Sequence, residues 1–244
     1  MGGLTLSRIF GEPSAMNRIL VPVALTLMLS FLFSFAAAQD AGEALFDGKS
    51  LAGWEGNEKF WSVKDGAITG QTTKENPTSG NTFLIWKKGD VADFELRLKF
   101  RIVGGNSGIQ YRSTDKGNHV VHGYQADFDA NHGYIGILYE EGGRGILANR
   151  GKKVEISEDG KKTEVGTTED DKTILADIKK EDWNEYVVIA KGNYLVHKIN
   201  GHTTIELTDK QSSKAKASGI LALQLHAGPP MLVQFKDIQL KKLK

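Results

Sequence analysis

The sequence predicts an all-β fold, an antiparallel β-sandwich of the jelly-roll kind, and three observations point there. Apolar and polar residues alternate with period two through much of the chain. Glycine is abundant, 28 residues against 5 prolines in 244, which suits many tight turns. No long segment carries the 3.6-residue apolar period of a helix.

The elements follow in order. Trp61–Val63 and Ala67–Thr69 flank the turn Lys64-Asp65-Gly66, and Phe83–Trp86 comes next. Phe94–Ile102 alternates apolar and charged residues throughout, the mark of a strand with one buried face. Gly104-Gly105-Asn106 turns the chain into Gly108–Arg112, and Tyr124–Phe128 and Ile135–Tyr139 follow. The stretch Lys152–Glu181, rich in Lys, Glu, Asp and Thr, reads as a solvated hairpin and loop insertion. Lys191-Gly192-Asn193 and Asn200-Gly201 mark successive hairpins around Tyr186–Ala190 and Tyr194–Ile199. Gly219–His226 and Met231–Leu240 complete the set. No linker divides residues 39–244, which read as a single domain.

Residues 1–38 read differently. Arg18 precedes an apolar run from Ile19 to Phe35, and Ala36-Ala37-Ala38 supplies a small-residue cleavage site. These are the marks of a secretory signal peptide, with Met16 an alternative start and a membrane anchor the competing reading, which the adjoining cleavage site disfavours. The expected protein is exported to a bacterial periplasm or exterior, with no stable membrane span after cleavage.

Composition excludes several chemistries. There are no cysteines, so disulfides, zinc–thiolate sites and cysteine nucleophiles are out. The formal net charge of +1 advertises no nucleic-acid partner. Phosphate loops, nucleophile elbows, HExxH and EF-hand patterns are absent. His119 and His122 have a weak ligand spacing and read as structural or surface residues. Composition and pattern alone stop at an exported β-sandwich.

A resemblance goes further. Leu45-Phe46-Asp47-Gly48-Lys49 with Gly53-Trp54, then Asn106-Ser107-Gly108-Ile109-Gln110-Tyr111-Arg112, Gly123-Tyr124-Gln125-Ala126-Asp127 and Gly136-Ile137-Leu138-Tyr139-Glu140-Glu141 stand in order along the chain. Asp182-Trp183-Asn184-Glu185-Tyr186 and Gly219–Pro230 continue the series to Phe235-Lys236-Asp237-Ile238. In order and spacing these runs resemble the 3-keto-disaccharide hydrolase family, whose members are similar to concanavalin-type jelly rolls.

The resemblance implies action on an oligosaccharide or a sugar already oxidised at C3. A C3 ketone acidifies the C2 proton, because the carbanion delocalises onto oxygen. Loss of that proton then expels the C1 substituent. Such a site needs a base near C2, a stabiliser for the enolate and an acid for the leaving group. It does not need the carboxylate pair of ordinary glycosidases.

Strand parity nominates the residues. Asp127 and Gln125 share one strand face, opposite Tyr124, Ala126 and Phe128, which makes Asp127 the first choice for base or metal ligand. Glu141 and Arg144 follow the strand ending at Tyr139, as acid and anion clamp or, equally, as a local ion pair. Gln110 and Arg112 share a face, where Arg112 is a candidate for sugar hydroxyls or an enolate. Gln224 and His226 share another, and His226 is a candidate proton carrier. Catalysis is thus expected from Asp127, Glu141 and His226, and substrate binding from Gln110, Arg112, Gln125, Arg144 and Gln224. A divalent cation held by Asp127, Glu141 and a histidine stays an open alternative. His197 alternates with Leu195 and Ile199 and reads as a core histidine. Of Trp54, Trp61, Trp86 and Trp183, at most one is expected as a sugar platform. A non-catalytic carbohydrate-binding module and an interaction domain are the competing readings, since sandwiches host all three.

Overall fold

A computed structural model describes residues 42–244; the leader expected over residues 1–38 lies outside them. Two sheets face each other. The ten-stranded one runs β12 (Lys162–Thr167), β11 (Lys152–Ile156), β15 (His202–Asp209), β14 (Tyr194–Ile199), β13 (Asn184–Lys191), β6 (Phe94–Val103), β17 (Leu232–Lys242), β4 (Ala67–Gln71) and β3 (Trp61–Lys64), with β1 (Glu43–Ala44) beside β17. The seven-stranded one runs β10 (Gly145–Ala148), β9 (Leu138–Glu141), β8 (Val121–Asp129), β7 (Asn106–Asp115), β16 (Ile220–Leu225), β5 (Thr82–Trp86) and β2 (Trp54–Glu55). All pairings are antiparallel except β11 with β15.

The differences from expectation are local. The segment Lys152–Glu181 holds the β11–β12 hairpin and a short helix, α1 (Asp171–Ala176), whose first turn is capped by the Asp170 carboxylate. The strand expected from Ile135 begins only at Leu138, because the Ile137 N–H donates to the Tyr134 carbonyl and closes a turn. β15 carries Thr203 and Thr204 ahead of its apolar residues, which blunts the period-two signal.

Inward-facing residues of both sheets make the core. Phe94, Leu96, Leu98, Phe100 and Ile102 alternate along β6 and are all buried. Phe100 meets Phe128 of the opposite sheet at 4.2 Å between ring centroids. His197 is fully buried, its ring nitrogens paired with the hydroxyls of Tyr111 at 3.0 Å and Tyr186 at 3.3 Å. Burial drives its pKa down to about 3, so it is neutral inside the sandwich.

The smaller sheet departs from regularity where the site forms. The β7–β8 register shifts between Tyr111 and Thr114, and Arg112 adopts a φ of 46°. Opposite it, Gly123 has a φ of 148°, and a Cβ there would overlap Ser113. The hairpin tip folds onto the outer face, where Val121 packs with Phe83, Ile85 and Ala222. His119 accepts a hydrogen bond from the Phe83 N–H at 2.9 Å.

Candidate active site

Beside the apolar cluster around Phe83, the outer face of the smaller sheet carries polar residues, which alternation puts there. Tyr124, Ala126 and Phe128 of β8 enter the core, which leaves Gln125 and Asp127 outside. Leu138 of β9 is a core residue, which leaves Tyr139 and Glu141 outside. On β16, Leu223 and Leu225 point in and Gln224 points out. Together with Asn81, Asn106 and His226 this face borders a cleft of about 480 Å³, large enough for a sugar. Tyr134, 53% exposed, stands at its rim, on a loop held by Asp129: the carboxylate accepts the backbone N–H groups of Gly133 at 3.1 Å and Tyr134 at 2.7 Å.

A directed chain of amides joins the two carboxylates. The Ser113 hydroxyl donates to Gln110 Oε1 at 2.7 Å, and Gln110 Nε2 donates to Gln125 Oε1 at 2.7 Å. Gln125 Nε2 donates to Asp127 Oδ2 at 2.7 Å and to Gln224 Oε1 at 3.4 Å. Gln224 Nε2 in turn donates to Glu141 Oε2 at 3.2 Å, and Asn81 Nδ2 donates to Glu141 Oε1 at 3.3 Å. Asn106 Nδ2 donates to the other Asp127 oxygen at 2.6 Å. The chain ends on both carboxylates, Gln125 and Asn106 donating to Asp127 and Gln224 and Asn81 donating to Glu141, so both acids are acceptors in this arrangement.

Asp127 is 5% exposed. Burial raises its pKa to about 7 against the opposing pull of its two amide donors, with Asp129 and Glu141 adding repulsion. A carboxylate at that value is half ionised at neutral pH, the condition a general base needs. The Tyr139 phenol is pushed up by burial and by the negative charge of Glu141 and Asp127, so it keeps its proton and can donate. The His226 Nδ1 faces the Ala227 carbonyl, which can only accept; that assigns the proton to Nδ1 and leaves Nε2 for a substrate.

The structure therefore brings Asp127, Glu141 and His226 to one cleft, with Gln125 on its floor and Gln224 bonded between Gln125 and Glu141. Gln110 is fully buried behind Gln125 and orients it without reaching the cleft. The two arginines are corrections. Arg112 does not share the face of Gln110, because the bulge and its left-handed backbone turn it away. Its guanidinium, 1% exposed, donates to the carbonyls of Ala92 at 2.7 Å and Gly192 at 2.6 Å and pairs with Asp93 at 2.8 Å. Arg144 does not line this cleft: it pairs with Glu140 at 2.6 Å and Asp209 at 2.7 Å. Glu140 and Glu141 alternate across the strand, and Arg144 follows the inward one.

Three tryptophans, Trp54, Trp61 and Trp86, are core residues, and Trp183 lies under the Lys236 ammonium at 4.0 Å. The exposed aromatic at the cleft is Tyr134. Among the described residues, no group of three or more His, Cys, Asp and Glu side chains could hold a metal ion, so Asp127, Glu141 and a histidine do not form the cation site left open by the sequence. Asn106 and Tyr139 were legible from parity, since they share faces with Gln110 and Glu141. Asn81 and Tyr134 sit on loops, where no period signals them.

The comparisons with known proteins agree with this architecture. The model of the 3-keto-alpha-glucoside-1,2-lyase-like domain matches residues 42–241. Two candidate glycosyl hydrolases from Parabacteroides distasonis are similar in structure. One has a TM-score of 0.56 at 20% identity, covering 82% of this chain and 98% of its own. The other has a TM-score of 0.56 at 18% identity, covering 85% and 96%. A carbohydrate-binding module from Bacillus subtilis has a TM-score of 0.53 at 14% identity, covering 78% and 96%. At these identities the likeness is one of fold. No individual curated protein sequence matches the chain.

Proposed function

The chain belongs to the 3-keto-alpha-glucoside-1,2-lyase-like family, and from that premise we propose that it is an exported enzyme that cleaves 3-keto-glycosides. The observation that carries the reading is Asp127, a buried carboxylate facing a sugar-sized cleft with its pKa raised to about 7. The leader-like residues 1–38 support export.

In this reading the Asp127 carboxylate takes the C2 proton, and the C–H electron pair becomes an enolate with its charge on the C3 oxygen. The second amide hydrogen of Asn106 and the Tyr139 hydroxyl stabilise that oxygen. Collapse of the enolate re-forms the C3 carbonyl, makes the C1–C2 double bond and expels the C1 oxygen. That oxygen takes the Nε2 proton of a His226 imidazolium whose Nδ1–H stays on the Ala227 carbonyl. Glu141, held by Asn81 and Gln224, takes a proton from a water whose oxygen adds at C1, and Asp127 returns its proton to C2. The proton gained by Glu141 passes to His226 to restore the starting state. The net result is hydrolysis, or elimination where water does not add. Tyr134 supplies an apolar ring face for the sugar.

The test is release of aglycone from a chromogenic 3-keto-glucoside beside the unoxidised glucoside, with and without chelator. Cleavage of the keto substrate alone, lost in Asp127→Asn, supports the reading. Oligosaccharide binding with no cleavage of either substrate across several linkages favours a binding module instead.

A further inference from the structure

A second pocket, about 460 Å³, lies beside the cleft and shares Glu141 with it. Its charge is of the opposite character. Lys116 of the β7–β8 hairpin tip and Lys214 and Lys216 of the loop after β15 border it. Among the described residues none of these three lysines makes an ion pair or a side-chain hydrogen bond. The carboxylate on the pocket's inner side, Glu140, is already taken by Arg144.

The lysine loop is held by groups that the proposed chemistry does not use. Arg112 donates to the Lys216 carbonyl at 3.2 Å, and the Lys216 N–H donates to the Tyr124 hydroxyl at 3.3 Å. Tyr124 donates to Asp209 at 2.5 Å, and Asp209, 1% exposed, accepts from Arg144 at 2.7 Å. Burying an arginine and an aspartate is costly unless their partners are well placed. Here the network locks the lysine loop and the β9–β10 turn against each other, and these are two sides of the pocket.

We propose that this pocket binds an anionic substituent, a carboxylate or sulfate, on the part of the substrate that leaves. The inference rests on the glycoside-cleaving reading, because it makes the pocket an extension of that cleft across Glu141. Uncompensated ammonium groups around a recess favour an anion, and exposed lysines act on it as screened point charges. A neutral sugar would take hydrogen bonds from them but none of the charge attraction.

The test compares two aryl glucosides, 2-nitrophenyl and 4-carboxy-2-nitrophenyl, by calorimetric titration of the full protein at low and high salt. Tighter binding of the carboxylated ligand is expected, by about tenfold at low salt and less at high salt. The preference should vanish in a Lys214→Gln/Lys216→Gln protein of unchanged thermal midpoint and persist in Lys214→Arg/Lys216→Arg. Equal binding of the two ligands, no binding of either, or a preference that survives the glutamine substitutions overturns the proposal. The corresponding 3-keto-glucosides separate the two readings: an intact anion preference without any cleavage removes the enzyme and keeps the pocket.

Discussion

Gln125 donates to Asp127 at 2.7 Å although both belong to one strand, two positions apart. The contact exists because alternate residues share a face, and because the space beside Gln125 belongs to Gly108, where any Cβ would overlap its side chain. The amide is thereby aimed at the carboxylate before any substrate arrives.

Replacing Asp127 with Asn is expected to lower kcat on a 3-keto-glucoside by about 10²–10⁴-fold, the usual loss for a general base. In the unsubstituted enzyme kcat/KM should fall as pH drops below about 7, since the base must be ionised. A pH–rate profile with no acidic limb between 5 and 8 would remove Asp127 from that role.

The same raised pKa has a consequence for stability. Between the unfolded value of 3.8 and the folded value of about 7 the native state holds more protons than the unfolded one. The contribution of Asp127 is fully present below about pH 4 and is lost as pH rises through 7. Relative to the parent, Asp127→Asn should therefore gain stability across this window, by at most about 4 kcal/mol. Denaturant midpoints of both proteins at pH 4, 6 and 8 check the trend.

His197 acts in the opposite sense. Its pKa falls from 6.5 to about 3, so it is neutral in the fold and protonated in the unfolded chain between those limits. Its contribution is present above pH 6.5 and is lost as pH falls toward 3. His197→Gln should lower stability at pH 7, by about 1–3 kcal/mol for disturbed buried hydrogen bonds, and flatten the acid side of the profile. An unchanged acid slope would contradict the assignment.

Arg112 is expected to matter for folding and not for substrate. Arg112→Met leaves backbone carbonyls and Asp93 without their partner, which should cost about 3 kcal/mol or more. At a temperature where the variant is folded, its KM should match the parent's. A selective rise in KM without a drop in thermal midpoint would return Arg112 to the substrate.

Tyr134→Ala should raise KM about five- to tenfold and leave the thermal midpoint within 1–2 °C, because the ring is mostly exposed and packs little. A fall in kcat alone would place the ring closer to the chemistry.

Much of this protein was legible in its sequence. Alternation along Phe94–Ile102 placed a buried strand face that the structure reproduces, and the parity of Gln125 and Asp127 against Phe128 put both on the outer face. Period two is a local property of an extended chain, so it survives without knowledge of the partner strands. The ordered runs from Leu45 to Ile238 likewise pointed to the family. Tertiary structure alone decided the rest. Strand parity fails at a bulge: the left-handed Arg112 left the face of Gln110 for a buried network, and Arg144 followed Glu140 inward and away from Glu141. Nor could spacing reveal that Asn81 bonds Glu141 across 60 residues, or that burial would carry Asp127 to about 7. Those are properties of desolvation and long-range approach, which exist only once the two sheets have closed.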